Sequence, residues 1–324
     1  MTQVSNPDKT ANADSSFHVF VCMKFGKLAD ISRVNFTLPP DHPATQQVLE
    51  NQTTSATLRV FVGSARWGER DLIGKIYPPK TPAKEYLTHY SQHFSTIELN
   101  STHYQLPSVD QVIQWKEKAE DSFTFCPKLP QSISHQGDFG QGIYATEQLT
   151  PALRAFSNQL GISFMQLPPT FHPQQGKSLF NYLEYWPQDI PLAIEFRHPD
   201  WFSEPRIQDR AFQLLEELKV STVITDTAGR RDVVHMRLTN PSVMIRFVGN
   251  RLHHTDYLRI DTWVERIKKW ITQGIQEVYF IVHQPEEALC VDLSIYLVRR
   301  LNQECGLGLS APQPLSIGEQ QELF

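Results

Sequence analysis

From Leu58 onward, short apolar runs alternate with stretches whose apolar residues recur every three or four positions, and this alternation is the strongest structural signal in the chain. The runs Leu58–Ser64, Thr96–Asn100, Phe123–Lys128, Gly161–Leu167, Leu192–Arg197, Val220–Asp226, Val243–Val248 and Glu277–His283 predict strands. Amphipathic segments lie between them. One runs from about Thr81 to His93, one carries Val109, Val112, Ile113 and Lys116 on a single face, and one carries Ala211, Leu214, Leu215 and Leu218. The clearest holds Ile260, Trp263, Val264, Ile267 and Ile271, and the last holds Leu293, Tyr296, Leu297 and Leu301. Strand followed by helix, repeated, predicts parallel pairing in an α/β chain, and this many units predict closure as a TIM-like (β/α)8 barrel. The rival is an open doubly wound sheet. Its nucleotide-binding form carries Gly-x-Gly-x-x-Gly after a strand, and no such string occurs here. Thr227 to Ser242 lacks a helical period, so that crossover is expected to be loop.

Composition shifts set the expected boundaries. Residues 1–17 are polar and read as a disordered leader. Residues 18–57, with a Pro-rich stretch, read as an extension packed on the barrel of residues 58–305. Residues 306–324 hold Pro312 and Pro314 and few large apolar side chains, which predicts a flexible tail. With 324 residues and 40% hydrophobic content the chain can bury a large core. A net charge of -5 excludes a globally basic nucleic-acid coat, without bearing on a local basic groove. Cys22, Cys126, Cys290 and Cys305 show no Cys-x-x-Cys spacing, so neither a zinc ribbon nor a disulfide framework is expected, and reduced cytoplasmic thiols are. Met1 to Ser16 lacks the apolar core of a secretory signal, and no run is long enough to span a bilayer, so no membrane association is expected.

The chemistry collects at strand ends, where barrels of this class build their sites. In Leu192–Phe202, Glu195 and Arg197 project from one face of a strand that Pro199 stops, with Trp201 and Phe202 in the following loop. Such a pair either pins a core layer or meets a ligand. The other polar strand-end residues are Glu98, Asn100, Lys128, Gln166, Asp226, Arg246 and His283, with His135 shortly after Lys128. Each buried charge costs several kcal/mol unless paired, so so many together imply a site or a polar core network. Glu98, Glu195 and Asp226 are the expected catalytic residues, with Glu98 or Glu195 as general base. Lys128, Arg197 and Arg246 form a cationic set suited to phosphate or carboxylate, and Asn100, His135, Gln166 and His283 complete the expected substrate contacts. Trp67, Tyr104, Phe171, Trp201 and Phe202 lie in loops above the strands, to stack on a base or sugar or to close the top of the core. His135, Glu98, Glu195, Asp226 and His283 offer metal donors without His-x-His or His-Glu-x-x-His spacing, which leaves a divalent metal open and specifies no cofactor.

Several ordered strings carry a resemblance: Val62-Gly-Ser-Ala-Arg-Trp67, Tyr86-Leu-Thr-His-Tyr90, Phe94-Ser-Thr-Ile-Glu-Leu-Asn-Ser-Thr-His-Tyr104 and Leu106-Pro107. Pro127-Lys-Leu129, Ile133-Ser-His135, Gln166-Leu-Pro-Pro-Thr-Phe171 and Glu195-Phe-Arg-His-Pro-Asp-Trp-Phe202 follow. Together they resemble the YecE-like family, catalogued as domain of unknown function 72 (DUF72). The resemblance implies a TIM barrel, in agreement with the period, and brings no established reaction. The C-terminal third departs from the family pattern. Ile245-Arg-Phe-Val-Gly-Asn250 stands where an Arg-Leu-His-Gly-like string is usual, and Val282-His-Gln-Pro285 where an Asn-Asn pair is.

Two functions are therefore expected to compete. One is an enzyme, hydrolase or phosphodiesterase-like, acting on a phosphorylated or nucleic-acid-derived anion in the barrel mouth. The other is a non-catalytic binding or scaffold protein. The terminal Gln320-Gln-Glu-Leu-Phe324 is similar to peptides that engage the bacterial DNA sliding clamp, through Gln320, Leu323 and Phe324, although Gln321 stands where Leu is usual. Convergence of a carboxylate and the cations on one open cavity would favour the enzyme.

Overall fold

The computed structural model describes residues 25–50, 57–137 and 139–316. Its parallel strands are β1 (Arg59–Ser64), β2 (Thr96–Leu99), β3 (Thr124–Pro127), β4 (Ser163–Gln166), β5 (Leu192–Glu195), β6 (Ser221–Asp226), β7 (Ser242–Val248) and β8 (Glu277–His283). They run in the order β3-β2-β1-β8-β7-β6-β5-β4. The two ends of that order are joined by short bridges, Phe125 with Leu160 and Lys128 with Phe164. There Gly161 N donates to Phe125 O and Leu129 N to Phe164 O, each at 2.8 Å. The predicted TIM-like barrel is the one that forms.

Strand alternation sorts the side chains into two layers. Phe61, Cys126, Phe164, Ala193, Val223, Met244, Tyr279 and Ile281 face inward and fill the barrel as one cluster. Val62, Ile224, Ile245, Phe247, Phe280 and Val282 face outward and pack under Trp263, Ile267, Leu297 and Leu301. Those last four come from helices His254–Gln273 and Glu287–Cys305. Both helices stop at a glycine in the left-handed region, Gly274 at φ 104° and Gly306 at φ 68°, where an L side chain would be strained. The crossover between β6 and β7 contains only the short turn Arg231–Val233, as its lack of period predicts.

Segments flanking the barrel are held by backbone hydrogen bonds. In helix Pro43–Glu50, Thr45 Oγ1 donates to Met236 O at 3.1 Å and accepts from Leu238 N at 3.0 Å. The flexible tail expected from residue 306 needs correction over its first part. Leu309 N donates to Asn302 Oδ1 at 2.9 Å, Gln313 N to His93 Nδ1 at 3.2 Å and Leu315 N to Lys75 O at 2.8 Å. Leu307, Leu309 and Ala311 pack on the core. A composition poor in large apolar residues misses this docking because the main chain carries most of it. The leader and the terminal Gln320, Leu323 and Phe324 lie outside the described residues. No helix among the described residues is long and apolar enough to cross a membrane.

Gly63 shows how closely β1 and β2 approach, since a Cβ there would lie 2.0 Å from Thr96 O. Gly63→Ala is expected to cost on the order of 3 kcal/mol by forcing backbone apart. Gly142→Ala, inside helix Gly140–Ala155 with its nearest contact at 3.6 Å, is expected to be neutral or stabilising. Urea midpoints measure both; an unchanged midpoint for Gly63→Ala would contradict the packing described.

Candidate functional site

Above the apolar filling, each strand places its next inward residue two positions further on. Met244 is followed by Arg246, Ala193 by Glu195, Phe164 by Gln166, Val223 by Thr225, Cys126 by Lys128 and Ile281 by His283, while β2 supplies Glu98. The apolar layer gives way to a charged one.

Arg246 is fully buried at its centre. Its Nε and one terminal nitrogen meet the two oxygens of Glu98, each at 2.8 Å. Its other terminal nitrogen reaches the oxygens of Glu195 at 3.2 and 3.0 Å. Each carboxylate then takes further donors. Glu98 accepts from Asn100 Nδ2 at 3.0 Å and from His283 Nε2 at 3.0 Å. Glu195 accepts from Arg197 Nε at 3.0 Å and Thr225 Oγ1 at 2.9 Å. Charges at this depth persist only because so many donors meet them.

The same contacts set protonation. Burial alone would raise the Glu98 carboxyl, but Arg246 and then His283 overcome it and hold Glu98 well below the ordinary carboxylate range. Burial is likewise outweighed at Glu195, by Arg197 and Arg246. Burial lowers His283, so a neutral ring carries its proton on Nε2 to donate to the acceptor-only Glu98. Lys128 is pulled down to about 8 by burial and by Arg246. Among the described residues its ammonium has one hydrogen-bond acceptor, Gln166 Oε1 at 3.1 Å.

A cavity of about 680 Å³ opens over this layer beside β1, β2 and β8. Glu98, Asn100, Lys128 and His283 line its floor, Trp67 and Tyr104 its aromatic walls, and Phe25 and Lys27 reach it from before the barrel. Two further charged residues, Arg66 and Glu287, line it as well. Glu287 sits in the first turn of helix Glu287–Cys305, only 3% exposed. One of its oxygens accepts from Arg66 Nε at 3.2 Å, while Oε1 is buried without a hydrogen-bond partner among the described residues. Burial pushes this carboxyl up to about 7. Sequence reasoning missed Glu287 and Arg66, although Arg66 lies within the string Val62 to Trp67 and an acidic residue after a strand marks a helix start.

The structure thus brings Glu98, Asn100, Lys128, His283, Trp67 and Tyr104 to one cavity, with Gln166, Glu195, Arg197 and Arg246 in the network linked to it. His135 stands off the cavity, its ring 5.2 Å from that of His103. Four expectations change. Asp226 faces outward, because Thr225 takes the inward position; it meets Arg259 at 2.9 Å, Trp263 Nε1 at 2.8 Å and Arg231. Trp201 is buried against Phe171, donating Nε1 to Phe171 O at 2.8 Å, and so closes the core instead of stacking on a ligand. Arg246 spends its nitrogens on two carboxylates and cannot join Lys128 and Arg197 in receiving an anion, while Arg197 lies under the Phe25 ring at 4.2 Å. His135, Glu98, Glu195, Asp226 and His283 do not gather as metal donors; among the described residues only His172, His198 and Asp200 do.

Comparison with known proteins agrees with this architecture. The family model described as "Protein of unknown function DUF72" matches residues 61–316. The UPF0759 protein YecE of Escherichia coli (strain K12) is 27% identical over 252 residues, covering 71% of this chain and 92% of that protein. The UPF0759 protein YunF of Bacillus subtilis (strain 168) is 31% identical over 155 residues, 45% of this chain and 53% of that protein. A DUF72 family crystal structure from Enterococcus faecalis V583 superposes with TM-score 0.59 at 21% identity, over 79% of this chain and 100% of that one. One from Thermotoga maritima MSB8 gives 0.54 at 20% identity, over 76% and 98%.

Arg246→Met should strand two buried carboxylates and cost about 3–5 kcal/mol at neutral pH. Because Glu98 and Glu195 are both held below their ordinary values, the stability they contribute is complete above roughly pH 4.5 and is lost as pH falls through their native values. The gap between wild type and variant should therefore narrow in acid. Denaturant melts from about pH 7 down to 3.5 test this, and a gap independent of pH would contradict it.

Proposed function

The chain belongs to DUF72, a family described as proteins of unknown function, and from that premise we propose an enzyme that acts on an anionic substrate in the cavity over β1, β2 and β8. The observation that carries the proposal is Lys128, a buried ammonium on the cavity floor whose hydrogen bond to Gln166 goes to a neutral amide rather than a carboxylate. The surrounding balance supports the same sign of ligand. Arg246, Arg197 and Lys128 supply three positive charges against the two of Glu98 and Glu195, while His283 is lowered toward its neutral form. A phosphoryl or carboxylate group on Lys128 would complete the pairing.

Two carboxyls with opposite shifts divide the work between them. Glu98 is ionised and fully hydrogen-bonded, so its role is to hold Asn100 and His283 in place. Glu287, raised to about 7, is the group able to give or take a proton near neutrality. Hydrolysis of a phosphate ester fits these parts, with Lys128 on the anion, Glu287 moving the proton of water or leaving oxygen, and Trp67 and Tyr104 flanking the organic portion. A carboxyl raised toward neutrality at the edge of an open cavity supports the enzyme over the scaffold reading.

Sulfate, whose charge is constant over the range, tests the anion site by calorimetry. Affinity should weaken through about pH 7 as Glu287 gains negative charge, and again above about pH 8 as Lys128 loses its proton. Lys128→Met should abolish binding, and Glu287→Gln should remove only the lower step. Sulfate binding by Lys128→Met at wild-type strength would overturn the site. On a panel of phosphomonoesters and phosphodiesters, Glu287→Gln should lower kcat by about 100-fold or more; an unchanged kcat would remove Glu287 from the chemistry.

A further inference from the structure

We propose that His172, His198 and Asp200 form a binding site for a divalent transition-metal ion of the zinc class, on the rim of the barrel and apart from the cavity. Strands β4 and β5 are neighbours, with Gln166 beside Glu195, so the loops that leave them must meet. The first delivers His172, just before the turn Pro173–Gln175, and the second delivers His198 and Asp200. The imidazole rings lie 3.8 Å apart between centroids, tilted by 40°. Both turn toward one carboxylate oxygen: Asp200 Oδ2 is 3.8 Å from His172 Nδ1 and 3.7 Å from His198 Nδ1. One donor atom from each of the three lies within 4.8 Å of the others.

The donor set selects the ion. Two imidazole nitrogens and one carboxylate oxygen suit zinc, cobalt or nickel, whereas calcium and magnesium prefer oxygen throughout. Bonds of about 2.0–2.1 Å in a tetrahedron place donors roughly 3.3 Å apart, so closure onto an ion draws in the 3.8 and 3.7 Å separations from Asp200 and brings the two imidazole donors together from no more than 4.8 Å. The loops can supply that movement, because the His172 and Asp200 side chains are 48% and 49% exposed. His198 is the fixed member, 13% exposed; its Nδ1 accepts from the Asp200 backbone N–H at 3.2 Å and would exchange that hydrogen bond for the ion. Three protein ligands leave a fourth position for water or an external ligand. The site is independent of the proposed reaction, since none of its residues lines the cavity.

The test is calorimetric titration of Zn²⁺ into the full chain previously treated with chelator, with Co²⁺ absorption in the visible as a second readout of nitrogen and oxygen coordination. One equivalent is expected, and His172→Ala and Asp200→Ala should each weaken it at least about tenfold, the loss seen even when groups behind the ligands are removed. Thermal melts in chelator show whether the variants remain folded, and Asp200→Asn gives a milder second change at the same ligand. The proposal is overturned if wild type takes up no equivalent. It is equally overturned if both variants, folded, bind as wild type does, or if the equivalent is lost instead on replacing the adjacent pair His253 and His254.

Discussion

The buried guanidinium of Arg246, shared between Glu98 on β2 and Glu195 on β5, is the interaction on which the rest of the interior depends. Three of the barrel's strands are tied by one side chain. A lysine could neutralise charge there, but only a planar fork can face two carboxylates at once with parallel hydrogen bonds. Once Glu98 is fixed, Asn100 and His283 have an ionised acceptor to orient them; once Glu195 is fixed, Thr225 and Arg197 do. The field of the same guanidinium helps to draw down Lys128.

That field divides the cavity. On the β2 side, Glu98 is held ionised by Arg246, and Lys128 is made easier to deprotonate. On the side of the last helix, burial dominates and Glu287 is raised, with only Arg66 as a cationic partner close by. A barrel that spends one arginine on two carboxylates in its centre thus leaves a lysine and a second glutamate near their titration points at its mouth. The apolar layer beneath, from Phe61 to Tyr279, contributes by excluding water from below and strengthening each of these pairings.

Much of this was legible in the chain. The eight apolar runs gave the barrel because period and length agreed, and the strand-end rule drew attention to Glu98, Lys128, Arg246 and His283. Asp226 was misplaced although the same alternation could have placed it: Val223 and Thr225 share a face, so Asp226 must take the other. Trp201 could not be assigned from pattern, since its burial depends on its loop folding back onto Phe171. Glu287 was hidden for a similar reason, because an acidic residue at a helix start is ordinary and only tertiary burial sets this one apart. The docked stretch after Gly306 is invisible to composition because main-chain groups do most of the holding.

Arg246 keeps Glu98 and Glu195 ionised while Glu287, at the same cavity, remains protonatable near neutrality. Side-chain carboxyl ¹³C chemical shifts, assigned by substitution and followed from about pH 3 to 9, report each of these protonation states. Glu98 and Glu195 should show no midpoint above about pH 4.5, and Glu287 should titrate near 7. A Glu287 midpoint in the ordinary carboxylate range, or a Glu98 midpoint near neutrality, would show that the cavity is not divided in this way.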